Sequence, residues 1–158
     1  MLYGILKTAH LLSIILWIGG MIFTRYFLGP AAAKLDSQSR ASLMQDTLGR
    51  FFRLVSYAIS IALISGIWMV GRVAKMAIVA GTNFSLPITW AAMMGLGFIM
   101  AGFFLLIRYS LYTKLVKQVA ASDWEGADKS LLTIRNWVGA NLAIGLLIVL
   151  TMGVGPYL

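Results

Sequence analysis

Four long apolar runs separated by three short polar stretches make up the chain, over residues 2–28, 51–73, 88–111 and 131–153. Each exceeds the roughly 20 residues that an α-helix needs to cross the hydrocarbon core of a bilayer. None alternates apolar and polar positions as a half-buried strand does. The pattern predicts an all-α fold, an integral membrane four-helix bundle, with residues 1–158 forming one transmembrane domain. Prolines punctuate it. Pro30 follows the first run, Pro87 opens the third and Pro156 follows the fourth, each placed at an expected helix edge. The first run is longer than the apolar core of a signal peptide, about 7–15 residues, so it is read as a retained span despite the small-residue triplet Ala31, Ala32 and Ala33.

Composition strengthens this reading. Of 158 residues, 60% are hydrophobic and 11% charged, against about 25% charged in a soluble domain. Cysteine is absent and histidine occurs once, which excludes disulfides, thiolate metal sites and cysteine nucleophiles. The five acidic residues, Asp36, Asp46, Asp123, Glu125 and Asp128, all fall between spans. With no carboxylate inside the membrane, a proton relay built on buried acids is not expected.

The net charge of +8 belongs to basic membrane flanks rather than to a nucleic-acid surface. Arg25, Lys34, Arg40, Arg50 and Arg53 surround loop one, and Arg108, Lys114, Lys117, Lys129 and Arg135 surround loop three. Only Lys7, Arg72 and Lys75 lie at the other end. The positive-inside rule then places loops one and three in the cytoplasm and both termini outside, as expected of a bacterial inner-membrane protein.

Few intramembrane groups can carry chemistry. His10 must hydrogen-bond, bind a ligand or face water, and a structural bridge to a neighbouring helix is as good a reading as ligation. Nine methionines include ordinary gap-fillers. Depth singles out Met93 and Met94 in span three, Met69 in span two and Met152 in span four, which reach the level of His10 from the same side. Imidazole with thioether suits haem iron or Cu(I). Trp17 lies mid-span and is expected to pack in the bundle, whereas Trp68, Trp90 and Trp137 fit interfacial positions. Ala58, Ala62 and Gly66 form a small-residue ladder that permits close helix approach inside the bundle, and Gly95 and Gly97 make room in span three. Loop three, about residues 113–130, is expected to extend the helices beyond the membrane with a turn near Ser122–Gly126.

The run Lys7-Thr8-Ala9-His10-Leu11-Leu12, followed by Trp17, Gly19-Gly20, Arg25 and Gly29-Pro30, resembles the opening helix of CopD-type membrane proteins and of the related HemJ-type protoporphyrinogen oxidases. Arg135, Asn141 and the apolar run to Gly155-Pro156 are similar to the end of that superfamily. The resemblance implies a four-helix module in which His10 is a haem b ligand, as in HemJ-type members, or takes part in copper uptake or resistance, as CopD-type members are labelled. The lysine that HemJ-type proteins carry near the start of span three is missing from Thr89-Trp90-Ala91-Ala92-Met93-Met94, and the acid of span four is replaced in Asn141-Leu142. Both departures argue against protoporphyrinogen oxidation and leave haem binding open.

The leading expectation is a haem b-binding redox protein. His10 would be the axial ligand, Met93 or Met94 the opposite one, and Trp17 and Arg25 further cofactor contacts. Electrons would pass to quinone or a redox partner, which would make the protein a membrane oxidoreductase. The alternative is a copper-binding or copper-transport protein using His10, Met93, Met94 and Met69. A third reading is a cofactor-free structural subunit. Beyond the lipid bilayer, a homo-oligomer sharing haem between two copies of His10 stays open.

Overall fold

The computed structural model describes residues 1–154, so the expected helix edge at Gly155-Pro156 lies outside the described residues. Four helices are long and apolar enough to cross a membrane: α1 (Leu2–Ala32), α2 (Ser37–Val79), α3 (Ile88–Ala120) and α4 (Trp124–Val154). The chain is an integral membrane four-helix bundle. Helices α1 and α2 pack along their length, as do α3 and α4, and α4 also meets α1 and α2. Helices α1 and α3 meet through long side chains, with the Trp17 ring edge-on to Phe104 at 6.4 Å.

Every helix is as long as the predicted span or longer. The excess lies mainly at the end carrying loops one and three, where amphipathic turns continue past the apolar run. Asp36 caps α2 by accepting a hydrogen bond from the Ser39 backbone N–H at 2.9 Å, satisfying a donor that a helix start leaves unpaired. The turn in loop three comes at residues 121–123, slightly earlier than expected. There Asp123 Oδ1 accepts from Gly126 N at 2.9 Å and starts α4. Pro87 occupies the N-cap of α3, as the pattern predicts.

Pro30 departs from expectation. Helix α1 runs past it to Ala32, because a π segment over Thr24–Leu28 precedes it. The Gly29 N–H bonds back to the Thr24 carbonyl across five residues, and Pro30 then sits in the first turn of the resumed helix, where no donor is required of it. A second π segment spans Ile107–Leu111 in α3. Each contains an Arg-Tyr pair, Arg25-Tyr26 and Arg108-Tyr109.

The core lies at mid-depth. Met21, Phe52, Val55, Phe104 and Leu142 are buried together. Phe52 stands edge-on to both Phe104 and Tyr112, at 5.9 and 5.4 Å. Trp17, Phe104, Phe52 and Tyr112 thus form a continuous aromatic column. Outward-facing side chains such as Ile15, Ile64, Leu105 and Leu150 are exposed, as lipid-facing positions must be.

Candidate functional site

Helix α1 carries Tyr3, Lys7, His10, Ile14 and Trp17 at alternating spacings of four and three residues, which places them along one face. That face lines a cavity of about 520 Å³ at the end where α1 and α3 begin and α2 and α4 finish. The other walls include Ala62, Gly66 and Met69 from α2, Trp90, Met93, Met94, Gly97 and Met100 from α3, and Met152 from α4. The cavity therefore gathers the only imidazole of the chain and five thioethers. Among the described residues its lining contains no carboxylate, and Lys7 is the one formal charge there.

His10 is held by α2. Its Nδ1 lies 2.9 Å from the Ala62 carbonyl and 3.2 Å from Ser65 Oγ. A carbonyl only accepts, so Nδ1 is the donor, and in a neutral ring that leaves the lone pair on Nε2. Metal-binding histidines are commonly oriented this way, with the second nitrogen donating to a backbone carbonyl. The small-residue ladder makes the approach possible. Ala58 and Ala62 are buried, and a Cβ on Gly66 would lie 3.3 Å from His10 Cε1. The ladder works inside the bundle and seats the imidazole. The same hydrogen bonds also satisfy the structural reading of His10, because they bridge α1 to α2.

Of the residues singled out from sequence, His10, Met69, Met93, Met94 and Trp17 line this one cavity. Arg25 does not. It lies at the opposite end, where its Nη1 donates to the Arg135 carbonyl at 2.7 Å. Gly97 borders open space, and a Cβ there or on Gly95 would meet no atom within 4 Å, so neither glycine is needed for close helix packing. Sequence reasoning passed over Met100 and gave Trp90 to the membrane interface. Met93, Gly97 and Met100 recur at four- and three-residue spacing, the same signal that marks the α1 face. Trp90, one turn before Met93 and Met94, belongs to that face too.

Imidazole and thioether are soft or borderline donors, favouring Cu(I) or haem iron over Mg²⁺ or Ca²⁺, which demand oxygen ligands. Among the described residues, no group of three or more His, Cys, Asp or Glu side chains is placed to hold a metal. Any metal held here would therefore rest on methionine sulfur with a single nitrogen. No curated protein and no solved structure matches the chain. Residues 45–154 match the family described as CopD, copper resistance protein D. The matched region contains the walls that α2, α3 and α4 give this cavity, while the His10 face of α1 precedes it.

Proposed function

The chain belongs to the copper resistance protein D family, and from that premise we propose that it handles copper by holding Cu(I) in the outer cavity. One observation carries the reading: an imidazole with its tautomer set by the Ala62 carbonyl shares a cavity with Met69, Met93, Met94, Met100 and Met152. His10 Nε2 supplies the anchoring ligand, and thioethers complete a soft site. Copper here is cargo, bound and passed on. The basic bias of loops one and three supports an orientation with the cavity facing outward across a bacterial inner membrane.

A second reading is favoured by a different observation. A cavity of about 520 Å³ exceeds what one ion fills and lies in the usual range for organic ligands, about 300–1,000 Å³. Trp17 and Trp90 give it flat walls. In that reading the ligand is haem b, with His10 on one face of the ring and Met93 or Met94 opposite, and the protein exchanges electrons with a quinone or a redox partner.

Absorption spectroscopy with metal analysis of the purified protein decides between them. The copper reading expects Cu(I) retained through dialysis, no Soret band, and loss of the metal in His10→Ala. A Soret band lost in His10→Ala would replace copper with haem. Retention of neither would return His10 to a bridge between α1 and α2, and would end both readings.

A further inference from the structure

At the end opposite His10, helices α1, α2 and α4 enclose a second cavity of about 270 Å³. Its walls divide by chemistry. Leu48 and Val138, toward mid-membrane, are apolar, Arg40, Arg135 and Asp128 lie toward the loops, and the Arg25 guanidinium reaches in as far as Gly139. Asp128 is fully engaged. Arg40 Nε and Nη2 donate to its two oxygens at 2.9 and 2.6 Å, and Ser37 Oγ donates at 2.8 Å. One carboxylate thus neutralises one guanidinium, and the charges of Arg25 and Arg135 are left uncompensated.

The backbone is shaped to put Arg25 there. It lies in the π segment of α1, and its guanidinium rests on Gly139 of α4, where a Cβ would fall 2.8 Å from Cζ. One N–H is committed to the Arg135 carbonyl, out of the five that a guanidinium offers. Leu132, which also lines the cavity, is 58% exposed on α4, so the cavity borders lipid as well as the aqueous loops.

We propose that this cavity binds one anionic phospholipid from the adjacent leaflet. Its phosphate sits between Arg25 and Arg135, and an acyl chain runs from there past Val138, on the mid-membrane side of Arg135. Phosphate suits guanidinium geometry, and basic pockets between transmembrane helices recognise anionic head groups. The apolar wall selects an amphiphile over a free anion. The inference is independent of what occupies the His10 cavity.

Native mass spectrometry of the full chain in detergent, titrated with phosphatidylglycerol or phosphatidylcholine, tests the proposal. The wild type should bind phosphatidylglycerol more tightly. Each lost arginine should weaken that binding about fivefold, from about 1 kcal/mol per basic residue, and leave phosphatidylcholine unaffected. Arg135→Gln alone suffices, since this exposed side chain supports no packing, and Arg25→Gln extends the series. Lys114→Gln with Lys117→Gln should change nothing, and excess inorganic phosphate should not displace the lipid. An unchanged preference in Arg135→Gln, an equal loss in the lysine variant, or displacement by phosphate would each overturn the proposal.

Discussion

Gly66 and Asn141 show how much single positions decide in this bundle. A Cβ at Gly66 already stands 3.3 Å from the imidazole, so Gly66→Leu should push His10 off the Ala62 carbonyl while leaving the helices formed. The expected loss of bound metal is on the order of 10–100-fold, as for other changes to the groups that orient a ligand. Metal titration alongside circular dichroism would register it, and unaltered affinity would show that the hydrogen bond does not orient His10 for binding. Asn141 makes the opposite case. It is 1% exposed, and its Oδ1 has no hydrogen-bond partner among the described residues. A buried unpaired polar atom costs about 1–3 kcal/mol. Asn141→Leu is therefore expected to raise thermal stability by about that amount, and a fall in the unfolding temperature would mean that the amide is satisfied in the membrane. Sequence alone could place His10 and Met93 at one depth, because rise per residue is fixed. Met100 carries the same four- and three-residue spacing from Met93 and was legible too, whereas Arg25, 15 residues beyond His10 and so about 22 Å along α1, lies too deep for that cavity.

Element ends hold the next tier of predictions. The Arg40–Asp128 pair ties the start of α2 to the start of α4, with side chains 24% and 31% exposed. Hydrogen bonds from Arg40 foremost, and from Ser37, hold the Asp128 carboxyl below its ordinary value, against the opposing effect of burial. A depressed acid stabilises the fold above its unfolded value, about 3.9, and loses that contribution as pH falls through the lower folded value. The clasp should thus be intact at neutral and mildly acid pH and release only in strong acid. Asp128→Asn should cost about 1 kcal/mol at neutral pH, in line with partly exposed pairs, and should remove that acid transition from thermal unfolding curves. The helix extensions that bring the pair together were only partly legible. The extension of α3 over Tyr112–Ala120 matches the expectation for loop three, but the amphipathic turns over residues 37–50 carry polar residues that a hydropathy reading assigns to a loop. The two π segments left no trace that spacing rules detect, since their Arg-Tyr pairs look like ordinary interfacial anchors.

At the scale of the whole molecule, four apolar runs sufficed for the architecture, because a bilayer admits little besides helices for such segments. Orientation rests on charge. Cysteines placed at Ser37 and Asn83 should react from opposite sides, with Asn83 open to an impermeant reagent on intact cells. Labelling of Ser37 instead would invert the topology. The two cavities lie at opposite ends, and between them stand Met21, Phe52, Val55, Phe104, Asn141 and Leu142, all buried. On α1 this septum runs from Trp17 to Thr24, about 10 Å at 1.5 Å per residue. A partition of that thickness, filled largely by rings and aliphatic chains, is an electrical insulator. Planar bilayers containing the protein should stay at baseline conductance in potassium or sodium salt, and any cargo that crosses must wait for the aromatic column to part, one turnover at a time.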